Sequence, residues 1–329
     1  MPVTAAVPCK FESDPMLNRR HLRVKVLQSL YAFFQSGNND LGAGEKELLF
    51  GIEKIYDLYL HQFLLLAELY RQEVRIIEDN RNKHLPSQED LYPNTRFVDN
   101  PVLKTIASHA AIDEHCKRRK ISWNTNQELV RKLLAHVKQQ NYFNVYMAKE
   151  EVTFADHREF VTRMVKKDIV NFELLHSFYE ENSIYWIDDW ELVNMMLVKT
   201  LKAIDPEQGK GLLLMDLFKE DEDRQFAREL FKRTILSQKE MDSIISAKTQ
   251  NWDLERIALM DVIIMKMALT EILKFREIPV KVSLNEYIEL SKMYSTPKSK
   301  IFINGVLDKL VEEFVSENKI NKHVKGLSG

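Results

Sequence analysis

Apolar positions recur at helical spacing along nearly the whole chain. From Asn18, a favourable N-cap residue, Leu22, Val26, Leu30 and Phe33 predict a helix reaching Phe34, which the turn cluster Ser36-Gly37-Asn38-Asn39 ends. A longer pattern of Leu48, Ile52, Ile55, Tyr59, Phe63, Leu66 and Leu69 runs from Glu45 toward Lys83, long enough to project beyond one bundle. After a break at Pro86, Pro93 and Pro101, helical patterns resume over 102–116, 127–142, 154–179 and 190–204. Asp205-Pro206 and Gly209 to Gly211 mark a second break. Beyond it the spacing predicts helices over 212–218, 224–236, 237–249 and 254–276, then two more after Pro279.

The 254–276 segment is apolar around most of its circumference, so it is expected to form a buried axis. Ser283 and Glu286 have the Ser-x-x-Glu spacing of a capping box, with Val282 and Tyr287 as a hydrophobic staple, which predicts a helix start there. Thr296 followed by Pro297 predicts the last helix start, with Phe302, Val306, Leu310 and Phe314 as its buried stripe. Gly305 falls inside that helix and is expected to admit close approach of another backbone.

Composition supports helices. Only 9 Gly and 9 Pro among 329 residues leave few turn-formers for hairpins or a Gly-rich phosphate loop. The fold class is therefore all-α. Cys9 and Cys116 are too few for a disulfide framework or a four-thiolate zinc site, which fits a reducing cytoplasm. Residues 1–15 read as a flexible leader without the apolar run of a signal peptide, and Met16 stands as an alternative start. No apolar run approaches the roughly 20 residues of a membrane span.

Apparent catalytic or ligand motifs do not hold together. Gly37 and Gly42 have phosphate-loop spacing, but Ala43 and Gly44 stand where Lys and Ser/Thr belong, so 37–44 reads as a linker. Glu173 and His176 make one Glu-x-x-His pair where a di-iron bundle needs two. His109, His115 and Cys116 follow no zinc spacing. No enzyme activity, metal or cofactor is called for.

Local charge says more than the net charge of -2. Arg19, Arg20, Arg23 and Lys25 crowd the start of the first helix without an acidic neighbour, and Lys298 and Lys300 crowd the start of the last. Cations there oppose the helix dipole, so an anion is the natural compensation. Tyr31, Tyr294 and Phe302 accompany them. Cations interleaved with rings suit single-stranded nucleic acid, phosphates meeting the cations and bases stacking on the rings. The competing readings are a solvated basic face and rings buried in the core.

Val282-x-x-Asn285-Glu286-x-x-Glu289-Leu290-x-Lys292-x-Tyr294, followed by Phe302-Ile303-Asn304-Gly305-Val306-Leu307-Asp308, resembles the C-terminal signature of the NusB transcription antitermination family. Asp261, Met265-Lys266-x-Ala268 and Glu271 are similar to the family's buried helix, with Lys266 where Arg is usual. Arg19-Arg20-x-x-Arg23 with Gln28-x-Leu30-Tyr31 resembles its Arg-rich first helix. The resemblance covers the first helix and roughly the last hundred residues. It implies two packed three-helix bundles and a non-enzymatic, cytoplasmic bacterial factor. Such a factor pairs with the ribosomal protein NusE, binds boxA-type single-stranded RNA of ribosomal RNA leaders, and serves an RNA polymerase antitermination complex. The implied RNA-binding residues are Arg19, Arg20, Arg23 and Tyr31 in one group, and Lys292, Lys298, Ser299 and Phe302 in the other. Among the departures, His21 stands within the first helix's basic cluster, and Arg233 replaces a usual Gly in the partner-binding bundle.

The expected organisation is a leader (1–15), the first part of the NusB-like domain (16–44), a helical insertion (45–205), the rest of the domain (206–318) and a flexible tail (319–329). The insertion carries 22 Lys/Arg against 26 Asp/Glu and reads as a protein-interaction surface. Self-association is compatible with the sequence. Five phosphate contacts, from Arg19, Arg20, Arg23, Lys298 and Lys300, would give a log-log salt slope of about −3.5 on single-stranded RNA. The alternative is an assembly module whose acidic insertion binds a partner without specific RNA binding.

Overall fold

Asn18 does cap the first helix. Its side chain accepts from the His21 backbone N–H while His21 Nδ1 accepts from the Asn18 N–H, a reciprocal box with His21 in the usual Glu position. The structure, a computed structural model, describes residues 15–37, 39–248 and 257–320. In chain order its α-helices are α1 (Arg19–Gln35), α2 (Leu41–Arg81), α3 (Gln88–Leu91), α4 (Pro101–Ala107), α5 (Ala110–Arg119), α6 (Gln127–Lys138), α7 (Asn141–Ala148) and α8 (Phe154–Met164). They continue with α9 (Glu173–Asn182), α10 (Trp190–Ala203), α11 (Asp221–Leu236), α12 (Gln238–Lys248), α13 (Leu259–Lys274), α14 (Val280–Tyr294) and α15 (Pro297–Ser316). The fold is all-α, and among the described residues no helix is long and apolar enough to cross a membrane. The expectations for residues 1–14, 249–256 and 321–329 lie outside the described residues.

Among the described residues, contacts divide the chain into two units, one within 17–52 and 218–320, the other of 15–16 with Glu53–Leu217. In the first, α1, α11 and α13 pack mutually, as do α13, α14 and α15, so α13 serves both three-helix sets. Every residue of α13 from Asp261 to Ile272 is buried, as expected of the axis. The helix is apolar all round because neighbours cover it all round.

The other unit holds the remainder of α2 with α3 to α10. Tyr59 on α2 bonds through its hydroxyl to Thr200 (2.6 Å) and receives the Met215 N–H (3.3 Å). His61, two residues further along and therefore on the other side of α2, sits among Trp123, Phe178, Tyr179 and Trp186. α4, α7 and α10 pack on α8. Between α8 and α9 a π-turn, Val165–Ile169, presents the buried Asp168 to the Tyr142 hydroxyl and to His136 Nε2.

Several sequence expectations are corrected. Residues 212–218 are not helical: Gly209 takes a left-handed φ of 68°, and side chains serve the backbone, Tyr59 at Met215 N–H and His109 at the Leu212 carbonyl. The 102–116 pattern is split at Ser108, whose hydroxyl bonds back to the Lys104 carbonyl. The 37–44 linker ends early, because α2 already begins at Leu41. Ser283 and Glu286 cap nothing: α14 starts at Val280, and both side chains are taken by groups on other helices. Phe302 is only half-buried, the inner stripe of α15 being Ile303, Val306, Leu307, Leu310, Val311 and Phe314.

Of the helical glycines, Gly305 and Gly44 depart from expectation in opposite ways. A Cβ at Gly305 would meet nothing within 4 Å, whereas one at Gly44 would lie 2.8 Å from the Phe33 ring and 2.9 Å from the Phe231 ring. The close approach is therefore at Gly44. In urea denaturation Gly305→Ala is expected to stabilise by about 1 kcal/mol, and Gly44→Ala to destabilise by about 1 to 3 kcal/mol through overpacking. Equal effects at the two positions would contradict this packing.

Candidate nucleic-acid interface

The arginines at the start of α1 are compensated from within the molecule. Arg19 meets Asp223 on α11 at 3.3 Å, and Arg20 makes a two-pronged pair with Glu286 on α14 at 2.9 and 2.8 Å. Arg23 makes another with Glu271 on α13, both bonds 2.8 Å. The anion inferred from the helix dipole is thus, for these three, a carboxylate from a distant part of the chain. Lys25 is buried as well.

These pairs differ in what they leave available. The Arg23 side chain is 3% exposed and Glu271 fully buried, so here the Arg23 guanidinium is spent on a carboxylate inside the bundle rather than offered to solvent. Ser283 and Tyr287 also donate to Glu271, at 2.7 and 3.0 Å, so its two oxygens accept four bonds. Burial pushes the Arg23 pKa down, but the bonds and charge of Glu271 outweigh it and leave it raised. Burial first, then the Glu271 charge, holds the Tyr287 hydroxyl well above its ordinary range. This is a structural centre. Arg19 and Arg20, by contrast, keep 40% and 47% of their side chains exposed. They border a cavity of about 460 Å³ whose walls include Pro279, Val282 and Glu286. Hydrogen bonding from Arg20 holds the Glu286 carboxyl below its usual range, and Glu286 raises Arg20 in turn. His21 stays below the usual histidine range because it is buried and beside Arg20.

The second group lies where α14 ends and α15 begins. Thr296 caps α15, accepting from the Ser299 N–H at 3.1 Å, while its hydroxyl and that of Ser299 lie 2.9 Å apart. Pro297 occupies the first helical position. Lys298 is exposed, and no partner for it is found among the described residues. Lys292 pairs with Glu289 one turn earlier on α14. The connecting loop is pinned from below, Ser295 donating to Asp261 in the first turn of α13. That bond explains why an acidic residue belongs at the start of the buried helix.

The two groups are joined by α1 itself. Gln28 donates to the Tyr294 hydroxyl at 3.2 Å, so the middle of α1 faces the loop that leads into α15. Tyr31, three residues on, is surface-exposed and not a core ring. Arg19 and Tyr31 are twelve residues apart, about 18 Å along a helix. The arrangement offers Arg19 and Arg20 at one end of α1, and Tyr31, Lys298 and the capped α15 terminus at the other. Cations and a ring of this kind are groups suited to holding an anionic, aromatic ligand. Sequence reasoning missed Asp223 and Glu286 as counter-charges, which no local spacing could reveal. Arg233 packs over the Phe275 ring and bonds the Lys274 carbonyl, tying α11 to the end of α13.

The sequence pattern of the NusB family matches residues 192–312. The chain is 39% identical over 139 residues to the transcription antitermination protein NusB of Salinibacter ruber (strain DSM 13855 / M31), covering 40% of this chain and 87% of that protein. It is 35% identical over 119 residues to the protein of that name from Chloroherpeton thalassium (strain ATCC 35110 / GB-78), covering 36% and 56%. To the one from Alkaliphilus oremlandii (strain OhILAs) it is 37% identical over 94 residues, covering 29% and 68%.

Proposed function

The chain belongs to the NusB family, and on that premise we propose that it acts as a transcription antitermination factor. In this reading it binds boxA-type single-stranded RNA of ribosomal RNA leader transcripts together with the ribosomal protein NusE, and so keeps RNA polymerase processive. Its role is binding rather than catalysis. The observation that carries the reading is that Arg19, Arg20, Tyr31 and Lys298 all keep exposed surface, with α1 bonded to Tyr294 at the end of α14, just ahead of the turn that presents Lys298. Phosphates would meet the cations, and a base would stack on Tyr31. Ser299, whose N–H is held by the Thr296 cap, and the half-buried Phe302 complete the group around Lys298, and Lys292 would have to leave Glu289 to contribute.

Fluorescence anisotropy of a boxA-like RNA against a scrambled control, with and without the ribosomal partner, tests this. A partner-dependent preference is expected. With Arg23 withdrawn, the salt slope should reach about −3 at most, for four contacts from Arg19, Arg20, Lys298 and Lys300. Tyr31→Ala should weaken binding by about 1 to 3 kcal/mol. Binding that ignores salt, or shows no preference with the partner present, would overturn the reading.

A further inference from the structure

The unit built on Glu53–Leu217 carries its own cationic surface, although its sequence is acidic overall. α5 ends in Lys117-Arg118-Arg119-Lys120. Arg119 is used internally, on Asp57. Lys117, Arg118 and Lys120 are exposed, and none of the three is ion-paired among the described residues. Arg118 lies against His115 Nδ1 at 2.6 Å, and burial followed by the Arg118 charge keeps that imidazole below its usual range. Lys120 takes a left-handed φ of 57°, which turns the chain sharply at the helix end.

Only four residues after Lys120, at most about 14 Å of chain, Asn124 and then Gln127 enter the wall of a groove of about 660 Å³. The opposite wall is α2, with Tyr70, Arg71 and Arg75. Glu68, 8% exposed, holds both guanidinium groups, Arg71 at 2.7 Å and Arg75 at 3.2 Å, so two cations share one carboxylate. Arg71 also bonds the Ala107 carbonyl and lies 3.7 Å from Asp113. Arg75 is held at three points: Nε on the Arg71 carbonyl, and one terminal nitrogen on Glu68 and Gln127. Its other terminal nitrogen has no partner among the described residues, on a side chain 49% exposed. This guanidinium is oriented before any ligand arrives, which lowers the cost of binding an anion.

From this juxtaposition we infer that the groove and the α5 terminus form a second contact surface for single-stranded RNA, separate from the α1 and α15 residues. Phosphates would lie on Lys117, Arg118, Lys120 and the outer edge of Arg75. Gln127 is spent on Glu68, the Trp123 carbonyl and Arg75, so the Asn124 amide is the group left to pair with a base edge, and the Tyr70 ring gives a base a face to stack on. A small inorganic anion would be repelled from the groove floor by Glu68, and an acidic peptide would make no use of the ring and the Asn124 amide. The surface extends the RNA-binding reading above, yet its residues are not those on which that reading rests.

The test is anisotropy titration of a labelled, unstructured RNA of mixed sequence with the full chain. The triple variant Lys117→Gln, Arg118→Gln, Lys120→Asn retains a residue that tolerates left-handed backbone at 120. It is expected to bind roughly ten- to hundredfold more weakly at 0.1 M salt and to reduce the salt slope by about 2. Arg75→Gln should weaken binding as well, and photo-crosslinking with thiouridine-labelled RNA should mark residues 70–127. A control pair, Arg20→Gln with Lys298→Gln, reports on the other surface. If the triple variant and Arg75→Gln leave affinity and slope unchanged while the control loses affinity, this inference fails and the earlier reading stands. If only the control is without effect, the reverse holds. Displacement by poly-glutamate but not by unlabelled RNA would overturn the inference in favour of a protein ligand.

Discussion

Glu271→Gln is expected to lower the unfolding free energy by about 3 to 5 kcal/mol, the usual cost of removing one member of a buried ion pair. Both Glu271 oxygens accept two bonds, from Arg23 at each and from Ser283 and Tyr287. An amide replaces one oxygen by a donor that faces other donors, and it leaves the Arg23 charge buried and uncompensated. The double change Arg23→Met, Glu271→Leu should recover only part of the loss, since the two hydroxyls remain without their acceptor. Urea unfolding of the three variants measures this. A single-variant loss below about 1 kcal/mol would mean that the centre is wet and the network is not what holds α1, α13 and α14 together.

Acid should weaken the unit containing His61 well before carboxylates titrate. Burial among aromatic rings lowers the His61 pKa to about 4, against a nearby Asp57 that acts in the opposite sense. An unfolded histidine takes up its proton near pH 6.5, so between there and about 4 the unfolded chain binds more protons than the folded one. Stability is full above pH 6.5 and falls as pH drops, by about 1.4 kcal/mol per unit and about 3 kcal/mol in all. His115 and His157 are lowered too and act in the same direction. Denaturation of wild type and His61→Gln across that range provides the measurement. The variant's stability should depend less steeply on pH; parallel curves would show that neutral burial of His61 is not the source.

What could be read from the sequence was what depends on neighbours within a turn or so. Asn18 and Thr296 cap helices because a cap bonds to a residue three positions away. The buried axis of α13 announced itself because every face is apolar. Ser283 and Glu286 misled for the opposite reason. Their spacing suits a local cap, but Glu271 and Arg20, distant in sequence, hold them more strongly than an exposed helix end would. The same blindness affected the candidate site. Arg20 and Arg23 look alike in sequence, and only the helices packed above α1 decide that one is half exposed and the other sealed. Tyr31 was legible as a ring near cations, and its exposure was not.

The order of the two units along the chain bears on how the protein is made. α1 emerges from the ribosome with no partner, because α11 and α13 follow only after the whole of Glu53–Leu217, about 165 residues. At the usual pace of translation that is a delay on the order of ten to thirty seconds. During it the Glu53–Leu217 unit can fold and bring Met215 to Tyr59, closing in advance the loop that would otherwise separate α1 from its partners. Biogenesis would then run from the middle of the gene product outward, with Arg23 waiting in water until Glu271 is synthesised.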